Sequence, residues 1–120
     1  MNLPHLPPIK FVKEILTCKE KQATVLCEFQ SLPTLPMLTE AAAQASSALL
    51  KSDIPQNGFL VLMKDVILHV KAKSLTCVVA IEERVSLGNS SEFYFEVFEK
   101  EGGEMYVNGL LMIVTEERSV

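Results

Sequence analysis

The segment SLPTLPMLTEAAAQASSALL, residues 31–50, changes character partway along. Pro33 and Pro36 end an extended stretch, and Pro36 suits a first helical turn, where a missing N–H leaves no helical bond unmade. An alanine-rich run follows, and the spacing predicts a helix continuing to about residue 50. Leu38, Ala42, Ala45 and Leu49 form an apolar stripe at helical spacing, while Glu40, Gln44 and Ser47 line another face at i, i+4 and i+7. The small side chains of Ala41, Ala42, Ala43, Ala45 and Ala48 let a sheet approach closely on several sides, so the helix is expected to be almost wholly enclosed. Residues 52–58, with Asp53, Pro55 and Asn57, read as its terminating loop.

Upstream, FVKEILTCK and QATVLCEF are joined by the polar turn KEKQ. In the second segment Ala23, Val25, Cys27 and Phe29 share one face and Thr24 and Glu28 the other, the two-residue period of a half-buried strand. The pair is expected to form a hairpin. Downstream, GFLVLMKDVILHV, SLTCVVAIEERVSL, EFYFEVFEKE and MYVNGLLMIVTEE read as four strands. Their short turns, GNSS and EGGE, are too brief for the crossover that parallel strands need, so an antiparallel meander is the simplest assembly. One helix and one large antiparallel sheet can share a core only if the sheet wraps the helix. The expected class is therefore α+β, a hot-dog fold with the order β-β-α-β-β-β-β, forming a single domain over residues 1–120.

Composition supports one such domain. The chain has 120 residues, 48% apolar and 22% charged, a balance that excludes a disordered segment and suffices for a core without staples. A formal charge of -4 with no basic cluster argues against a nucleic-acid groove. No run approaches a membrane span, and the proline-rich start MNLPHLPPIKF does not suit a signal peptide; cytoplasm is the expected location. Cys18, Cys27 and Cys77, odd in number and far apart, read as reduced, packed thiols. With no glycine-rich phosphate loop and no metal-ligand cluster in the sequence, neither cofactor nor metal is expected.

Two short motifs carry a family resemblance. The opening LPHLPPIKFVKEIL resembles the "LPHR-x-P-x-LLVDRVL" segment of the (3R)-hydroxyacyl-acyl-carrier-protein dehydratases, and Glu40-Ala-Ala-Ala-Gln44 is similar to their helix motif "EAMAQ". The chain also resembles the shorter dehydratases of aryl-polyene biosynthesis. The resemblance implies a pair of protomers with continuous sheets, a homodimer or a heterodimer with a related hot-dog subunit, and a substrate tunnel between the two central helices. It further implies an acyl thioester on acyl carrier protein or coenzyme A as the partner. Glu40 would act as the catalytic carboxylate with a histidine of the other protomer, and Gln44, the substrate-side amide, would hold neighbouring groups.

The departures matter as much. The family's histidine belongs to a "GHFPG-x-P-x-MPG" loop before the helix; here that region reads EFQSLPTLPML, with no histidine, and the helix opens on Pro36-Met37 in place of Pro-Gly. His5, in the matched LPH motif, is the replacement expected if the chain is a hydro-lyase; the plainer reading is a histidine bracing a turn. His69, near a strand end, reads as structural. Ser46 and Ser47 lack the partners of a nucleophile. Lys71 and Lys73 read as a solvated strand end, with an acidic carrier surface or a coenzyme phosphate as the functional alternative. Asn108-Gly109 reads as a bulge. Three activities remain open: a 3-hydroxyacyl thioester dehydratase, a non-catalytic acyl-binding or silent partner subunit, and a hot-dog thioesterase.

Overall fold

The computed structural model describes residues 10–46, 49, 60–100 and 103–114. Strands β1 (Val12–Cys18) and β2 (Gln22–Glu28) form the expected hairpin and α1 (Leu35–Ser46) follows. Four strands complete the chain: β3 (Leu60–Leu68), β4 (Thr76–Leu87), β5 (Ser90–Glu99) and β6 (Met105–Val114). All pairings are antiparallel, in one six-stranded sheet of order β1-β2-β4-β5-β6-β3. Helix α1 packs against β1, β2, β4, β5 and β6. This is the hot-dog architecture, in the element order read from the sequence.

The simple meander expected for the last four strands holds only for β4, β5 and β6. Strand β3 lies outside β6, and β4 pairs instead with β2. The hydrophobic pattern explains the choice. Unbroken register from Gln22↔Glu82 to Glu28↔Thr76 sets the inward row Ala23, Val25 and Cys27 against Ile81, Val79 and Cys77, all buried. Strand β3 lacks such a row: Leu62, Met63, Ile67 and Leu68 are exposed in the single chain.

The helix begins where Thr34 accepts the first helical bond from the Leu38 N–H at 3.0 Å, which puts Pro36 in the first turn as expected. Leu38, Ala41, Ala42 and Ala45 are buried against the sheet, with Leu49 beyond the described helix also buried. The predicted stripe is thus the packed face. Residues 47, 48 and 50, where the helix was expected to continue, lie outside the described residues, as does the loop at 52–58.

Extra residues bend the sheet. Between β3 and β6 the register steps from Lys64↔Leu110 to Ile67↔Asn108, so β3 carries one residue more. The bulge expected at Asn108-Gly109 therefore belongs to the strand opposite, where Asp65 adopts φ 53. Gly109 is the residue that admits it: a Cβ there would lie 2.9 Å from Val66 Cγ2, 3.0 Å from Val66 Cα and 3.2 Å from Phe95 Cε2. A second extra residue falls in β6, between Val97↔Val107 and Phe98↔Met105. It makes Tyr106 and Val107 consecutive buried residues, breaking the alternation that an unbulged strand would keep. Turned inward, the Tyr106 hydroxyl accepts from the Lys73 N–H at 3.1 Å and donates to Glu99 Oε2 at 3.1 Å. Burial raises the Tyr106 pKa above the usual phenol value, so the donor proton is retained at neutral pH.

The β4–β5 turn is tighter than GNSS suggested: Leu87 pairs with Ser90 across Gly88-Asn89 alone. Gly88 takes φ 59, as the first central position of a type II′ hairpin turn requires. Of the three cysteines, Cys27 and Cys77 are packed as expected, whereas Cys18 is exposed; it falls at the end of an edge strand, where only one neighbour covers it. Leu75, the residue before β4, is also exposed. No helix among the described residues is long and apolar enough to cross a membrane.

Candidate functional site

Gln44 joins the two motifs read from the sequence. Its Oε1 accepts a hydrogen bond from the Phe11 N–H at 2.8 Å, so the helix motif is tied to the residue that closes the opening LPH segment. Phe11 is further held by its ring, which sits 4.8 Å from that of Phe29 at a tilt of 41°. The next rung of this corner is the Glu28 N–H donating to Phe11 O at 2.9 Å. The start of β1, the end of β2 and the middle of α1 therefore meet at one place.

Glu40 lies one helical turn before Gln44 and is exposed in the single chain, while Gln44 is half-buried. The expectation of an almost wholly enclosed helix is not met within one chain: the sheet covers the Leu38, Ala42 and Ala45 face and leaves Glu40 open. A stripe of three to four apolar positions spans only part of a helix circumference, and one sheet can cover no more. Ser46 is buried and donates to Ala43 O at 2.6 Å, a helix-internal bond that occupies its hydroxyl proton. Ser47 and His5 lie outside the described residues.

The other candidates have structural partners. His69 Nε2 is 2.8 Å from Asn108 Oδ1; Asn108 Nδ2 donates to the Tyr94 hydroxyl at 3.0 Å, and that hydroxyl donates to Glu96 Oε2 at 2.9 Å. Burial raises the Tyr94 pKa, and the guanidinium of Arg84 stands 4.8 Å over its ring. Arg84 Nε also bonds Glu82 Oε1 at 2.7 Å. This row crosses the sheet face away from the helix. Sequence reading did not find it, because its links join strands far apart in the chain; only the i, i+2 spacing of Tyr94 and Glu96 was legible. Lys73 pairs with Glu104 at 3.3 Å, in keeping with a solvated strand end, and Lys71 is exposed.

Concavities among the described residues include one on the outer sheet face and one at the β3 edge. A groove of about 430 Å³ runs along the outer sheet face beside Thr17, Gln22, Glu82, Arg84, Tyr94 and Glu96, and its lining includes neither Glu40 nor Gln44. A second, of about 300 Å³, lies at the β3 edge between Leu62, Met63 and Lys64 on one side and Leu110 and Met112 on the other. No group of three or more potential metal ligands occurs among the described residues.

Element order, sheet topology and a central helix define a hot-dog protein. No protein-family model matches the chain, and no curated protein does. Solved structures do match in fold. The dehydratase heterocomplex ApeI:P from Xenorhabdus doucetiae superposes with a TM-score of 0.74 at 13% identity, covering 97% of this chain and 89% of that one. Uncharacterized protein PH1136 from Pyrococcus horikoshii gives 0.70 at 17% identity, with 91% and 86% covered. A hypothetical thioesterase with coenzyme A from Streptococcus pneumoniae TIGR4 gives 0.69 at 10% identity, with 89% and 90% covered. At these identities the likeness is one of fold.

Proposed function

We propose that this chain is a 3-hydroxyacyl thioester dehydratase, a hydro-lyase acting on an acyl chain carried by acyl carrier protein or coenzyme A, and that it works as a pair of hot-dog protomers. The observation that carries this reading is the Gln44 Oε1 bond to the Phe11 N–H. Two motifs that resemble one enzyme family, 33 residues apart in the chain, are joined by a side chain of one of them. Dehydration removes a proton from the carbon beside the thioester carbonyl and delivers one to the departing hydroxyl, work for positioned acid/base groups. Glu40 supplies the carboxylate, His5 its partner, and Gln44 holds Phe11, six residues after His5 in the sequence, against the helix.

The exposed helix face supports a cover from a second protomer, and a comparison of the two sheet edges favours β3 as the contact. Strand β1 has extra residues at two places in its short length, which spoils an edge for further pairing. Strand β3 keeps unbroken register with β6 from Leu60 to Lys64, and its outer edge carries Leu62 and Met63, 49% and 38% exposed. Pairing of β3 with β3 of a second protomer would extend the sheet and cover these side chains. Leu62→Asp with Met63→Asp is expected to convert a dimer to monomers in sedimentation equilibrium, since each charge would enter an apolar interface. An unchanged mass would remove β3 from the contact.

A second reading has its own support. The chain entering α1, Gln30 to Thr34, contains no histidine, and one of the structural neighbours is a dehydratase heterocomplex. On that reading this chain is a non-catalytic acyl-binding or silent subunit that pairs with an active, related dehydratase. Incubation of the purified protein with crotonyl and 3-hydroxyacyl thioesters separates the cases. Water addition or loss supports the dehydratase, thioester binding without turnover supports the silent subunit, and release of free thiol identifies a thioesterase.

A further inference from the structure

Cys27 and Cys77 are direct register partners in the β2–β4 ladder, each with no exposed surface and neither in a disulfide. Two residues along, the Phe29 N–H donates to Leu75 O at 2.8 Å. Alternation therefore places the cysteine pair, like Phe29 and Leu75, in the hydrogen-bonded class of antiparallel rungs, with Cα atoms about 5.5 Å apart. Disulfides span about 4.4–6.8 Å between Cα atoms. Both side chains lie on the buried row that faces α1, directly opposite one another in the ladder.

We propose that Cys27 and Cys77 are an internal dithiol that a peroxide converts to a cross-strand disulfide, latching β2 to β4 on the helix side of the sheet. In the first step one sulfur attacks the peroxide O–O bond, becomes a sulfenic acid and releases water. In the second the other sulfur displaces hydroxide from the sulfenic sulfur, and the departing oxygen leaves as water with the remaining thiol proton. Two thiols and one hydrogen peroxide thus give one disulfide and two waters; sulfur is oxidised and the peroxide oxygens are reduced. The contact with Cys27 and burial both hold the Cys77 thiol far above the usual thiol range. The reaction therefore waits on local opening of the ladder, and exposed Cys18 is oxidised ahead of the pair. The latch closes two strands that flank the Phe11–Phe29 corner, yet it does not depend on the thioester reading.

The test uses the full chain carrying Cys18→Ser, treated with hydrogen peroxide in urea below the unfolding transition. The expected product has no titratable thiol after denaturation, a mass lower by two hydrogens, and peptides containing Cys27 and Cys77 joined until reduced. Its Tm should rise by several degrees, as loop closure of the unfolded chain requires, and dithiothreitol should reverse the rise. Retention of both thiols, a gain of oxygen mass, covalent dimers or an unmoved Tm in the oxidised form would each overturn the proposal. A further Cys27→Ala change on the same background should abolish the two-hydrogen loss; its persistence would also overturn it.

Discussion

Glu40→Gln is expected to lower enoyl-thioester hydration by about 10²–10⁴-fold, the range set by removal of a positioned acid/base group, with the loss falling on kcat. Glutamine keeps the size and hydrogen-bonding reach of the side chain but cannot take the proton. Thioester binding, measured by calorimetry, should therefore change little. Fold stability should hardly move, because Glu40 is exposed in the single chain and substitutions at such positions usually stay within about 0.5 kcal/mol. That split separates a reacting carboxylate from a surface charge. Undiminished turnover in a folded variant would take Glu40 out of the reaction.

Phe95→Ala should give the largest loss of stability, about 3–5 kcal/mol in urea denaturation, against a total that for such domains is only about 5–15 kcal/mol. Phe95 is fully buried on β5, opposite Gly109 in register. Its ring edge lies where a Cβ at Gly109 would be 3.2 Å away, so ring, glycine and the Val66 bulge fill one volume. Gly109→Ala is expected to destabilise from the other direction, by about 1–3 kcal/mol through overpacking. The double variant should not restore stability, because the clash with Val66 Cα would persist after the ring is removed. Restoration to the level of Phe95→Ala without the glycine penalty would show that the bulge yields easily.

Local pattern carried much of the architecture. The alternation of Ala23, Val25 and Cys27 announced a strand with one buried face, and the Leu38, Ala42, Ala45 and Leu49 spacing announced the packed face of the helix. Both signals depend on neighbours within a turn or two of chain. The bulges were less legible. Asn108-Gly109 reads as an irregularity in β6, yet the extra residue stands in β3, because a glycine marks a close approach without saying which strand is distorted. The inward Tyr106 depends on a register step that alternation alone would not allow.

The candidate site divides in the same way. Glu40 and Gln44 were legible because a helix places residues four apart on one side. That the Gln44 amide oxygen would meet the Phe11 N–H was not, since the contact requires the β1–β2 hairpin to fold back onto α1. The outer row from His69 through Asn108 and Tyr94 to Glu96 likewise has no local signature.

On its own, the order of residues determined which segments become strands and which becomes the helix, and it marked the acid and amide of the central helix, since periodic burial is written in side chains close together in the chain. The tertiary structure alone decided that β2 enters between β1 and β4 and that β3 is left at a free edge, and it left Glu40 uncovered by its own sheet. Those outcomes depend on which apolar rows can be matched in space, and that matching compares segments dozens of residues apart.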